Sequence, residues 1–467
     1  MKKKIYQKIG AGFLTVMLLF GNVAYGKVNQ DNYAEIFEQL MQRIERDYTG
    51  EISRQEMFEA AMRGMFGSLD EYSEFFTEEQ TKRFEQSINR SFEGIGIQFR
   101  KENDKFVVVS LIPGGSAKEG GILAGDILIS ADGIFFEKMK STEEVADKIL
   151  GKKGTKVKLT VQRGNQFLNY ELERRTLHLP TVEQIDWATL PNEIKKEVKA
   201  EETIYISLNS FGEDTADDFA EIIRKEENKK AKVLILDLRD NGGGYVSAVI
   251  DIANLLVPEG KVVVFKDKQG QEDTYYSDLK KAPFQKVITL VNKNSASASE
   301  ILAGALKDSG VGLLIGENTF GKGVAQEFLS ISGGKYSMKL TYKEFFTPSG
   351  KTINKQGIAP HIQMNTPQFI ISDRRYYLGD ENDAIYQIES ILNYLGYLKE
   401  EPDRKYESNT MAAVLAFQKA SGLGAHKVID FTTQAALNTA LRNSISKEDK
   451  VLLRAIQESR KILLTDK

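Results

Sequence analysis

Three serines, Ser295, Ser297 and Ser299, stand at alternate positions between a short apolar run, Val287 to Val291, and a segment carrying Ile301, Leu302, Ala305 and Leu306 at helical spacing. A strand-to-helix turn of this kind exposes a hydroxyl and aims backbone N–H groups at the same spot. The chain holds three histidines, His178, His361 and His426, and none lies in a comparable setting. The natural base for a serine nucleophile is then a lysine. Lys322 lies in the glycine-rich text GENTFGKG, which follows a second buried run, Val311 to Ile315. Spacing alone does not single it out, because Ser277 with Lys280 and Ser332 with Lys335 also read Ser-x-x-Lys.

A second chemistry competes for the same text. Gly316 to Lys322 fits the first seven positions of a P-loop. The eighth is Gly323 rather than Ser or Thr, which removes the hydroxyl that would hold magnesium. Val324 to Glu327 then reads as an extended segment, not as the helix whose N-terminus would cradle phosphate. The bland alternative to both is a pair of glycine turns and an ordinary helix cap.

The text SASASE, then FGKG and a glutamine four residues past its lysine, resembles the carboxy-terminal processing (tail-specific) serine peptidases. Carried over by position, the resemblance implies Ser297 as nucleophile, Lys322 as base and Gln326 as the residue orienting the lysine. A second signature of that family reads Asp237-Leu-Arg-Asp-Asn-Gly-Gly-Gly-Tyr245, after the run Val233 to Leu236. It implies an oxyanion hole from the N–H groups of Gly243 and Ala298. Such a lysine must act as a neutral amine, and lowering its pKa from ~10.4 to about 7 to 8 takes roughly 3 to 5 kcal/mol. Burial beside apolar groups such as Phe320 is the expected cause.

The elements that must position these residues are strands alternating with helices. Thr203 to Leu208, Val233 to Leu236 and Val287 to Val291 read as strands, Val246 to Leu256 as a helix, and Asp214 as a cap. That alternation implies right-handed crossovers and a mostly parallel sheet. The fold class expected is multidomain α/β, with a layered ClpP/crotonase-like protease core over 176–365. His361, in its closing segment, is read as structural.

Around this core the chain divides by composition. Residues 1–26 carry Lys2, Lys3, Lys4 and Lys8 before an apolar stretch and Ala24-Tyr25-Gly26, the pattern of a cleaved export signal or an uncleaved anchor. Either places the protein outside the cytoplasm, in the cell envelope. Residues 27–88 are helical, with Ile36, Phe37, Leu40, Met41, Ile44 and Tyr48 on one face that suits packing in a homodimer. Residues 89–175 resemble a PDZ module, which captures a peptide by strand addition and holds its free C-terminal carboxylate in a nest of N–H groups. Gly94-Ile95-Gly96-Ile97 is the nest this resemblance implies. Arg163 is read as a surface charge. A link at 366–381 leads to 382–443, which resembles a small helical peptidoglycan-binding module, although its usual Asp-Gly-x-Phe-Gly turn reads Asp403-Arg-Lys-Tyr-Glu407. Residues 444–467 read as a charged tail compatible with a helix; 382–443 is expected to fold alone and attach the enzyme to the wall, so truncation after about 365 should leave peptide cleavage intact but abolish sedimentation with peptidoglycan.

The formal charge of −3 over 467 residues leaves no nucleic-acid footprint. Zero cysteine excludes disulfides, thiolate catalysis and cysteine metal sites, and no metal or organic cofactor is implied. Two functions follow. One is an exported serine endopeptidase acting on proteins or peptides with free C-termini. The other is a catalytically silent, cell-wall-associated PDZ scaffold. A crotonase-like acyl-transfer enzyme would share the α/β type but turn over thioesters.

Overall fold

The computed structural model describes residues 32–102, 104–372 and 374–465, so the export segment at 1–26 lies outside the described residues. No helix among the described residues is long and apolar enough to cross a membrane. Two compact units divide the chain between Phe75 and Phe76. The first carries helices Tyr33–Asp47 and Arg54–Phe66, the second of them opened by a capping box between Ser53 and Glu56. Leu40 and Tyr48 of the apolar face are exposed.

The second unit is built on a sheet of parallel strands, Thr203–Leu208, Val233–Asp237, Lys286–Val291, Gly312–Gly316 and Ile362–Gln363, with Val182–Gln184 antiparallel at one edge. The strands are apolar nearly throughout because both faces are covered. Leu234, Leu236, Val287 and Val291 pack under helices Thr215–Arg224, Val246–Leu256 and Ala298–Asp308. Tyr205, Val233, Ile235, Ile288 and Leu290 face the other way.

That second face is covered by the stretch expected to be a charged tail. Lys450–Thr465 is a helix whose Val451, Leu452, Ala455, Ile456 and Leu463 are buried in one cluster with Tyr205, Val233, Ile235, Ile288, Leu290 and Ile315. The charges of the segment occupy its other side, which is why composition alone suggested a tail. The helical module preceding it is therefore an insertion between core elements, and the expectation that truncation after 365 spares the peptidase core is corrected.

The module consists of helices Asp383–Tyr394, Ser408–Ala420 and Phe431–Lys447 around Ile388, Leu392, Tyr406, Val414, Phe417 and Leu437. The turn lacking its glycines keeps a left-handed residue, Arg404 at φ 78°. Buried Glu389 accepts the N–H groups of Asp403 and Arg404 at 2.9 and 3.0 Å and the Thr410 hydroxyl at 2.6 Å, which offsets the strain.

The PDZ region packs strands Ile97–Glu102, Lys105–Leu111, Ile127–Ala131, Lys156–Arg163 and Gln166–Glu173 around Phe106, Leu128, Phe136 and Val161. It joins the core through the antiparallel pair Ser91–Gly94 and Arg175–His178. Arg163 is not a free surface charge: its Nε and Nη2 each lie 2.7 Å from the carboxylate of Asp126, which is 1% exposed. The pair fastens the Gly121–Asp126 turn, since Arg163 also donates to the Gly121 carbonyl at 2.8 Å.

Candidate active site

The three serines separate by what holds their hydroxyls. Ser295 Oγ donates to the Leu238 carbonyl at 2.7 Å and Ser299 Oγ to the Asn241 carbonyl at 2.8 Å, and both residues are fully buried. They stitch the turn to the Leu238–Asn241 segment. Ser297, between them, lines an open cavity of about 630 Å³. Its backbone sits at φ 57°, ψ −115°, outside the regions that L-residues prefer, at the N-terminus of the helix Ala298–Asp308. A strained residue at a helix start is the geometry of a nucleophile elbow.

Lys322 and Gln326 line the same cavity. The P-loop alternative fails structurally as well, because Val324–Ile331 is a strand. The glycines of that loop admit the protein's own chain: a Cβ on Gly323 would come within 2.3 Å of the Asn354 nitrogen. Phe320, expected to bury the lysine, is 55% exposed; the apolar residues of the cavity wall include Ile301, Ala325 and Phe345. Gln326 follows a register shift between strands Val324–Ile331 and Tyr336–Phe346, an irregularity that re-aims a side chain. Its amide nitrogen donates to the Val324 carbonyl at 3.3 Å and the Thr341 hydroxyl at 3.2 Å. What it can offer a neighbouring amine is its carbonyl oxygen.

Glu300 was not among the candidates drawn from the sequence, yet it ties the two loops together. Its carboxylate, with the residue fully buried, accepts the Ser297 N–H at 2.9 Å and the Lys322 N–H at 2.8 Å on Oε2, and the Gly321 N–H at 2.7 Å and Thr319 hydroxyl at 2.6 Å on Oε1. The signal was present as Ser297-x-x-Glu300, a capping-box pattern. Burial raises the Glu300 pKa above its ordinary value, and the four donors pull against that rise. The folded state thus holds the proton more tightly than the unfolded chain, so this group's stabilising contribution is present at low pH and is lost as pH rises through the folded value. Glu300→Gln places an NH₂ against donors, and we expect kcat to fall on the order of 10²-fold through misplaced loops. The variant should also lose this group's component of the pH dependence of Tm, which thermal melts across acid pH would measure.

Gly243 lies directly against the serine: a Cβ there would meet Ser297 Cβ at 2.8 Å and the Ala298 nitrogen at 3.1 Å, and its φ is 107°. Only glycine fits. Its N–H donates to Asn241 Oδ1 at 2.9 Å, so in this conformation that donor is engaged within its own turn. Asn241, fully buried, is the pivot. Its carbonyl accepts the Ala296 N–H at 3.0 Å and the Ser299 hydroxyl, and its amide donates to the Leu208 carbonyl at 2.7 Å.

In the PDZ region, Gly94 ends a strand and Gly96 is left-handed at φ 84°. A Cβ on Gly96 would lie 2.7 Å from Gly115 Cα, whereas one on Gly94 would meet side chains alone, Leu150 at 3.0 Å and the Phe92 ring at 3.4 Å. Ile95 is buried in the PDZ core, with Ile97 packed against it. His361 Nδ1 accepts the Leu314 N–H at 2.9 Å, and burial lowers its pKa, in keeping with a structural role. Among the described residues no cluster of side chains could hold a metal ion.

Comparison with known proteins bears on this geometry directly. The model of "Peptidase family S41" matches residues 202–364, that of "PDZ domain" residues 94–173, and that of "Putative peptidoglycan binding domain" residues 381–437. The "Carboxy-terminal processing protease CtpA" of Bacillus subtilis is 31% identical over 462 residues, covering 97% of this chain and 96% of its own. A "Probable CtpA-like serine protease" of Staphylococcus aureus is 31% identical over 455 residues, covering 95% and 89%. The solved photosystem II D1 C-terminal processing protease is 27% identical, covering 73% of this chain and 94% of its own, with a TM-score of 0.43. The near full-length likeness of the relatives spans the serine turn, the lysine loop and the glycine turn alike, and the chain belongs to peptidase family S41, among the CtpA-like serine proteases.

Proposed function

We propose that this protein is an exported endopeptidase that recognises the C-terminal tail of its substrate and cleaves near it by a Ser297–Lys322 mechanism. The single observation that supports this most is the sharing of one cavity by Ser297, Lys322, Gln326 and Gly243, with the Ser297 and Lys322 backbones gripped by one buried carboxylate. Neutral Lys322 takes the Ser297 hydroxyl proton as Oγ bonds to the scissile carbonyl carbon. The proton then passes to the departing amine, leaving an acyl-serine that water hydrolyses by the reverse route. The Gln326 carbonyl oxygen orients the amine. The Ala298 N–H supplies one oxyanion donor, and Gly243 supplies the second once its N–H exchanges Asn241 for the oxyanion.

The PDZ domain supplies tail recognition, with Gly94 to Ile97 as the carboxylate nest, and the helical module holds the enzyme at peptidoglycan. A free carboxylate makes charge-assisted bonds that an amide cannot. Peptides with a free C-terminus should therefore be cleaved about tenfold more efficiently than their amidated counterparts, an expectation scaled to one such bond. Gly94→Val should narrow that difference. Equal kcat/KM for the two peptides would remove tail recognition from the proposal. A wild-type chain that a fluorophosphonate does not label at Ser297 would favour the silent scaffold.

A further inference from the structure

Arg239 lines the cavity three residues before the first glycine of the turn, and its guanidinium is taken up by two carboxylates far apart in sequence, Asp237 and Asp449. Its Nε lies 2.9 Å from Asp237 Oδ1 and its Nη2 2.6 Å from Asp237 Oδ2. Its Nη1 lies 3.0 Å from Asp449 Oδ1 and its Nη2 2.7 Å from Asp449 Oδ2. Both contacts are two-pronged, which fixes direction as well as distance. Asp237 ends a central strand and also accepts the Tyr205 hydroxyl at 2.8 Å. It belongs to the rigid sheet. Asp449 belongs to the start of the C-terminal helix, where its Oδ1 accepts the Leu452 N–H at 2.9 Å.

The next residue points the connection the other way. Lys450 Nζ donates at 2.6 Å to the carbonyl of Tyr394, the last residue of the first module helix, and lies 4.1 Å from the centre of its ring. Two consecutive residues thus clamp two different bodies: Asp449 the arginine that precedes the glycine turn, Lys450 the inserted module. The turn itself is only four residues beyond Arg239 at Gly243, and Asp240 between them is left-handed at φ 60° and held by Asn292 at 3.0 Å. A chain so short and so constrained transmits a shift of Arg239 to the serine.

We propose that Asp449 is a positioning residue for the peptidase: through Arg239 it sets the glycine turn, so that turnover depends on how the inserted module is seated. This rests on the peptidase reading above. Asp449→Asn is a clean probe. Asparagine caps a helix as well as aspartate does, so the C-terminal helix keeps its start. Arg239 keeps Asp237, so no charge is stranded.

The test uses the full chain, with peptide turnover, fluorophosphonate labelling and thermal melting measured on each variant. Asp449→Asn should lower kcat on the order of tenfold and slow labelling in parallel, with KM within about twofold, the pattern of an interaction felt in the transition state. Lys450→Met should lower kcat in the same direction by about two- to threefold, since it loosens only the module. A loss that merely follows the unfolded fraction, or kcat retained within about twofold in Asp449→Asn, overturns the proposal alone. A wild-type chain that neither labels nor cleaves overturns the peptidase reading and this proposal with it.

Discussion

Lys322→Arg is expected to be as inactive as Ser297→Ala, with kcat reduced on the order of 10⁴-fold or more, the scale set when one member of a cooperating catalytic group is lost. The substitution keeps much of the stem but installs a group that stays charged and does not give up its proton in the working range of an enzyme. It should do so without moving the loop. Among the contacts at position 322, the backbone N–H on Glu300 ties the lysine loop to the serine turn, and any residue there retains it. An unchanged melting temperature alongside absent turnover is therefore the combined result to look for, measured on one peptide for both variants. Substantial cleavage by the arginine variant would assign the base to another group.

Truncation after residue 365 should leave no folded peptidase. It removes Val451, Leu452, Ile456 and Leu463 from the sheet face formed by Tyr205, Val233, Ile235, Ile288 and Leu290. At roughly 1.5–3 kcal/mol for each large apolar side chain, that loss is comparable with the whole stability of ~5–15 kcal/mol of an ordinary domain. The exposed sheet face would also be sticky. Soluble yield and a cooperative melt are the measurements. A chain in which only 382–443 gives way to a flexible linker should melt cooperatively, because it keeps the covering helix. A truncated protein that is soluble and active would show that the face tolerates water.

Strand Thr203–Leu208 and helix Val246–Leu256 have the bounds their residue patterns imply, because each signal is local. Ser297, Lys322, Gln326 and Gly243 were named from motif text, and one cavity collects them. What pattern did not carry was partnership over distance. Nothing near Asp449 announces Arg239, 210 positions away, and an amphipathic helix with many charges looks like a tail until the sheet it covers is known. The clue lay in the strands: Val233 to Leu236 is apolar at every position, which requires cover on both faces, and the helices between the strands account for only one. Glu300 was hidden for another reason. A glutamate in a capping box is ordinarily an exposed helix-start residue, and its burial depends on the later loop at Thr319 to Lys322 folding over it.

The position of the covering helix in the chain also orders events in time. Domains complete themselves as chain emerges, at about 5–20 residues per second. Here every strand of the parallel sheet, the serine turn and the lysine loop are synthesised before Lys450–Thr465, and the module must be made in between. The nascent core therefore waits with one face bare and Arg239 without Asp449. A peptidase assembled in that sequence acquires its full architecture only after the inserted module exists, which postpones proteolysis until the covering helix is in place.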